Sequence, residues 1–222
     1  MAKIKLQPHA SSTIDLMRFN GYSTVSAIAD IVDNTLPVGT KKIEILIKGN
    51  SSDNLQFLIY DDGFGMDKNE LESAMHLSSK DFETVRIKND LGKFGFGLKS
   101  ASFSQCKELT VISKKKGFDF YSYKWDLNYV KENNDWSVDN VSVNEIDEIL
   151  LGNNIANFDQ GTVVIWNNCD RVLSQNMDSP NNEKYLAELV NDIHKNLSLI
   201  YHKYLNKGLK IFINGIEVYA MD

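Results

Sequence analysis

Apolar and polar residues repeat along this chain with two different periods, and each period marks a kind of element. In residues 22–35, "YSTVSAIADIVDNT", Val25, Ile28, Ala29 and Val32 recur at helical spacing. Ser23 or Thr24 offers a side-chain oxygen to cap that helix, and Pro37 and Gly39 end it. "KKIEILIKG" alternates and is β-branched, which predicts a strand, and "NLQFLIYDDG" reads as a second strand that runs into a turn. "DKNELESAMHLSS" predicts a short helix, and "FGLKSASFS" begins another. "ELTVISKKKG" and "FDFYSYKWDL" read as a strand pair joined around Gly117, and "GTVVIWNN" reads as a further strand. The longest helix is predicted over 182–204, where Leu186, Leu189, Val190, Ile193, Leu197, Ile200 and Tyr201 form one stripe. "GLKIFINGIEVYA" closes with a hairpin around Asn214-Gly215.

Two stretches carry no clear period. Residues 79–94 are polar and charged, which predicts a mobile loop. Residues 127–160 are acidic and rich in asparagine, with only "EIDEILL" helical, and read as an insertion or long connection. The whole pattern predicts an α+β fold. Strands pair mostly as hairpins into a mixed, mostly antiparallel sheet, and helices cover one face.

Composition narrows the function classes. With 222 residues, 42% of them hydrophobic, the chain suits one full-cored domain, or one domain plus a small extension. The formal net charge of −6 argues against a domain that binds nucleic acid through its overall field. Cys106 and Cys169 show no CxxC spacing, which points to a reducing compartment and away from a zinc site. His9, His76, His194 and His202 have no Cys or Glu at a metal-ligand spacing. No apolar run approaches the about 20 residues of a membrane span, so a cytoplasmic protein is expected. The chain stops just after a strand-like run, as the N-terminal part of a longer protein does.

The chemistry concentrates in "NDLGKFGFGLKSASFS", residues 89–104, where Gly92, Gly95 and Gly97 fall close together before a helix. Glycine-rich runs of this kind hold phosphate. Two common loops fail here. A Walker A loop needs lysine where Leu98 stands, and a dinucleotide loop needs a third glycine where Ser100 stands. Neither is preceded by a strand. Taken alone the stretch is a hinge. It is not alone: "ADIVDN" sets an acid and an amide on a helix, "YDDGFGM" ends a strand in an Asp-x-Gly-x-Gly turn, and "GT" opens a later strand.

In this order the four motifs resemble the GHKL ATPase family, which includes DNA gyrase B, the large heat-shock chaperones, histidine kinases and MutL. The similarity is greatest to the MORC-like branch. "AIADIVDNT" matches the N-box, "DDGFGM" and "LGKFGFGLKSAS" the two glycine boxes, and "GTVVIWN" the adenine-side threonine motif. "HLSSKD" and "LSLIYHKYLNKGLKIFINGIEV" also fit that branch, so the resemblance spans roughly residues 14–220. It implies a Bergerat-type two-layer sandwich with a mobile ATP lid. The domain then occupies residues 21–222, with the lid at about 78–97 and the insertion at about 127–160. Residues 1–20 become a strap that crosses to a second protomer. A histidine-kinase catalytic domain is the weaker match, because "GTVVIW" followed by a long helix does not resemble that branch.

The resemblance also assigns roles. Asp61 takes the adenine amine, which suits a carboxylate, an acceptor facing a donor. Gly63 and Gly65 let the backbone approach the base, Met66 packs on the purine, and Thr162 assists from the neighbouring strand. Asn34, one turn after Asp30, is the Mg²⁺ ligand. Asp30 stands where the family carries its general base, normally glutamate, and Asp33 is the fallback. Aspartate shortens the reach by roughly 1.5 Å, and misplacement of about that size costs on the order of a hundredfold in rate. ATP binding is thus better supported than fast turnover. Pro37-Val38 replaces the family's usual Asp-Ala. Gly92, Lys93, Phe94, Gly95, Phe96, Gly97, Leu98 and Lys99 form the phosphate loop. Lys80 and Lys99 are favoured over Arg86, Lys88 and Lys93 as lid cations. The implied partners are ATP or ADP with Mg²⁺ and a second copy of the chain. Relatives of this kind act on DNA or chromatin; the client is left open.

Overall fold

The computed structural model describes residues 9–19, 21–49, 51, 54–77, 97–153, 155, 159–173 and 179–221. Its strands are β1 (Lys42–Lys48), β2 (Gln56–Asp61), β3 (Glu108–Lys114), β4 (Tyr121–Asp126), β5 (Asp139–Asn140), β6 (Gly161–Asn167), β7 (Lys210–Ile213) and β8 (Ile216–Val218). They join in one sheet of order β5-β4-β3-β6-β2-β1-β7-β8. The β1–β7 pair is parallel and the other pairings are antiparallel, so the sheet is mixed and mostly antiparallel as the patterning predicts. The helices are α1 (Ala10–Arg18), α2 (Thr24–Thr35), α3 (Lys68–Met75), α4 (Gly97–Phe103), α5 (Leu127–Asn133), α6 (Val143–Gly152), α7 (Ser179–Ile200) and α8 (His202–Leu205).

Alternation along the strands divides the core in two. Ile43, Ile45, Phe57, Ile59, Val111, Val164 and Trp166 point to one face, where they meet Ile28 and Val32 of α2, Phe103 of α4, and Ile193 and Leu197 of α7. Each such buried side chain is worth about 1.5–3 kcal/mol against exposure. The intervening residues Leu58, Ile112, Val163 and Ile165 pack on the opposite face with Ile146 and Leu150 of α6. Helices therefore cover the expected face, and α6 adds a patch of cover on the other. Within 127–160 the described residues contribute α5, the edge strand β5 and α6.

Local sequence explains the element ends. Ser23 caps α2, its Oγ accepting from Ser26 N at 3.1 Å. A 3-10 turn at Leu36–Val38 follows, and Gly39 leaves it with φ 76°. Asp67 and Glu70 form a capping box at α3, with Lys115 paired to both. Asn214 and Gly215 both take positive φ, the two-residue turn that matches the strand twist of the β7–β8 hairpin.

Helix α1 packs on the rest of the chain. Ala10, Ile14 and Met17 of α1 are buried, and Arg18 donates to the Cys106 carbonyl and to Asp170 Oδ1, both at 2.6 Å. One face of α1 thus packs on the core of the same chain; residues 1–8 lie outside the described residues. Among the described residues no helix is long and apolar enough to cross a membrane.

Candidate functional site

Asp61 is the last residue of β2, and its register places it between Ile43 of β1 and Thr162 of β6. Only 6% of it is exposed. Its Oδ1 accepts the Gly63 N–H at 2.9 Å and lies 3.5 Å from Thr40 Oγ1. Both contacts fall on Oδ1, so among the described residues Oδ2 keeps its acceptor capacity. Burial, opposed by the Gly63 N–H and assisted by the adjacent Asp62, pushes the carboxyl up to about 7. A buried carboxylate is stabilised by a donor that offsets this cost, and an amine is such a donor.

The turn after Asp61 is built for close approach. A Cβ on Gly63 would fall 2.7 Å from both Asp61 Oδ1 and Val38 Cγ2. A Cβ on Gly65, at φ 66°, would fall 1.9 Å from the Lys114 carbonyl. Only glycine fits there. Phe64 N donates to the Val38 carbonyl at 3.0 Å, so the Pro37-Val38 departure forms the wall against which this turn packs. Met66 N donates to Ser113 Oγ at 2.8 Å, and Ser113 Oγ also shares a 2.8 Å hydrogen bond with Thr162 Oγ1 and donates to the Gly161 carbonyl. Ser113 thus ties Met66 and Thr162, two of the sequence-predicted residues, into one network on the Asp61 side.

The α2 face comes next. Thr40 Oγ1 donates to the Thr35 carbonyl at 2.7 Å, which links Asp61 to the end of α2 that carries Asn34. Asn34 is exposed, and its Nδ2 donates to the Asp30 carbonyl at 2.8 Å. That leaves the amide oxygen as the atom offered to a cation. One hard oxygen fits Mg²⁺, which fills its remaining positions with phosphates and water. Asp33 faces elsewhere: its Oδ1 accepts the Tyr201 hydroxyl at 2.7 Å, and that hydroxyl also reaches the Ala29 carbonyl at 2.9 Å. Asp33 therefore ties Tyr201, between α7 and α8, to α2.

Of the phosphate-loop residues, Gly97 opens α4 with open space where a Cβ would sit, and Leu98 packs against the main core. Lys99 departs from its expected place among the phosphates. It is fully buried, and its Nζ donates to the Ala74 carbonyl at 2.5 Å. The reason is local: the last carbonyls of α3 lack helical partners, and a cation there satisfies one of them and the negative helix end. Burial pushes this ammonium down to about 8. Lys80, Gly92, Lys93, Phe94, Gly95 and Phe96 lie outside the described residues, as do Arg86 and Lys88.

The structure therefore brings Asp61, Gly63, Gly65, Met66 and Thr162 together and ties them to the end of α2 that bears Asn34. It also packs α2 directly on α4. Sequence reasoning missed Ser113, Thr40 and Tyr201. A serine near the end of the apolar strand "ELTVISK" was the one visible signal among these.

Comparison with known proteins gives a family and a relative. Residues 22–162 match the family described as histidine kinase-, DNA gyrase B-, and HSP90-like ATPase. The chain is also similar to the ATPase morc-1 of Caenorhabditis elegans, with 30% identity over 112 residues. That alignment covers 49% of this chain and 12% of the worm protein, so the chain corresponds to a small part of that relative. The matched span takes in the N-box helix α2, the Asp61 turn and Thr162, and on this footing the chain belongs to the histidine kinase-, DNA gyrase B- and HSP90-like ATPase family.

Proposed function

We propose that this domain binds ATP with Mg²⁺ and hydrolyses it slowly, using the cycle as a conformational switch. The observation that carries the reading is the buried Asp61 carboxyl, whose Oδ2 is unshared among the described residues, beside a turn that only glycines can make. Asp61 takes the adenine amine, Met66 packs on the ring, and Thr162 supports from β6. Asn34 Oδ1 holds the cation, which screens charge on the β- and γ-phosphates. Gly92, Gly95 and Gly97 offer backbone N–H groups to the same phosphates, with Lys80 as a lid cation. Lys99 serves there only if it leaves the Ala74 carbonyl. Asp30 orients the attacking water and takes its proton. Nucleotide then orders residues 78–97, and the closed form pairs with a second copy of the chain. The worm relative's name, an ATPase, fits this reading.

A second reading is favoured by one residue. Asp30 in place of glutamate leaves the base short by roughly 1.5 Å, enough to suppress turnover. The domain is then a nucleotide-gated binding module without meaningful ATPase activity. Two variants separate the readings in a sensitive phosphate-release assay. Under the first, Asp30→Asn abolishes turnover and retains nucleotide. Under the second, the parent is silent and Asp30→Glu gains activity. An Asp30→Asn protein that turns over like the parent removes Asp30 from the mechanism.

A further inference from the structure

The rows of side chains that form the main core change character at one end of the sheet. Ile59, Val164 and Val111 lie side by side on β2, β6 and β3, on the face covered by α2, α4 and α7. The next row on that face is Asp61, Thr162 and Ser113. Directly paired residues of antiparallel strands share a face, so three polar side chains continue the apolar rows. Ser113 is fully buried and Thr162 half-buried. Hydrogen-bond valence sets the direction of the bonds here, because a serine hydroxyl has one proton and two lone pairs. Met66 N–H can only donate, so it takes one lone pair of Ser113 Oγ, at 2.8 Å. The Gly161 carbonyl can only accept, so it takes the proton, at 3.0 Å. The 2.8 Å contact with Thr162 Oγ1 is then a donation from Thr162 to the remaining lone pair of Ser113. With its proton turned to Ser113, Thr162 Oγ1 keeps only lone pairs for a ligand. Among the described residues that oxygen bonds to Ser113 alone.

We infer that Ser113 is a specificity-determining positioning residue. By holding the Thr162 proton it keeps Thr162 an acceptor beside Asp61, and the row then selects a purine with an amine at position 6 over one with a carbonyl there. The inference rests on the ATP-binding reading above and adds the residue that sets the polarity of the adenine side. An amine offers two N–H donors to two acceptors. A carbonyl would meet them lone pair to lone pair, and Thr162 cannot turn to donate without breaking its bond to Ser113. Ser113 acts through Thr162 and has no need to touch the nucleotide.

The test measures Kd for ATP and for inosine triphosphate, which carries a carbonyl in place of the amine, both with magnesium. The parent, Ser113→Ala, Thr162→Val and the double variant are compared, with Tm recorded for each. The parent is expected to prefer ATP by about a hundredfold or more. In S113A the Thr162 proton is free to meet the carbonyl, so the preference falls about tenfold, the size of one hydrogen bond. In the Thr162→Val background S113A leaves the ratio of the two Kd values unchanged, because Ser113 acts through the Thr162 hydroxyl. Ser113→Cys, similar in shape but a weak hydrogen-bonding group, makes the same comparison should S113A not fold. The inference fails if the Ser113 variant weakens both nucleotides by the same factor, since Ser113 then only holds the turn. It also fails if the ratio falls as far in the Thr162→Val background, or if the parent binds the two nucleotides equally. In each of these cases the ATP-binding reading stands. If the parent binds neither nucleotide, that reading and the inference fall together.

Discussion

Replacing Asp61 with asparagine separates stability from recognition. The amide keeps the size of the carboxyl and still accepts the Gly63 N–H, but carries no charge. Asp61 is 6% exposed, and burial raises its carboxyl from 3.8 to about 7. That difference makes ionising it in the fold dearer than in the unfolded chain by about 4 kcal/mol as an upper bound, at about 1.4 kcal/mol per pH unit. The direction follows from linkage. Between pH 3.8 and about 7 the folded state binds more protons than the unfolded one, so the parent loses stability as pH rises through that window. Asp61→Asn escapes this loss. At pH 8 it should be more stable than the parent by about 2–4 kcal/mol, a Tm gain of about 5–15 °C for a chain of this size. Below pH 4 the two should melt together. Thermal melts at pH 4, 6 and 8 measure this. With Mg-ATP added, the parent should gain Tm and the variant should not, since the charged acceptor for the adenine amine is gone. Equal melting at pH 8, or a gap that does not change with pH, would refute the claim that Asp61 is a strained, ligand-ready acid.

The other predictions concern the elements around it. Gly65→Ala places a Cβ against the Lys114 carbonyl at positive φ and should cost about 3 kcal/mol or more in a urea titration. Tyr201→Phe strips the hydroxyl that bonds to Asp33 of α2 and should cost about 1–3 kcal/mol by the same measurement. Lys99, pushed down to about 8 from 10.5, penalises the fold while charged in both states; stability should therefore rise between pH 8 and 10.5, and Lys99→Met should lack that rise. Asn34→Ala should bind ATP with little difference between magnesium and EDTA buffers, where the parent shows a clear one.

The sequence made the sheet easy to read because β-strand periodicity is local. "QFLIYD" and "GTVVIWN" are apolar on both faces, and the structure covers both, where helices were expected on one. What covers the second face was not legible: nothing local links Ile146 and Leu150 to Leu58 across almost ninety positions. Helix α1 was hidden for a similar reason, since its buried stripe is short and its stability comes from α4, α5 and the Arg18–Asp170 pair. Lys99 misled because a lysine after a glycine loop reads as a phosphate ligand, whereas the orphan Ala74 carbonyl that holds it is twenty-five positions away. Motif order points to the residues that gather at Asp61; it says nothing of Ser113, whose part depends on side-chain direction.

The most direct measurement of the central claim is isothermal titration of ATP into the domain with magnesium present, run beside Asp61→Asn. The account predicts saturable heat with one site per chain for the parent, and at least a tenfold weaker isotherm for the variant. A folded parent that gives no heat, or a variant that binds as tightly as the parent, would contradict it.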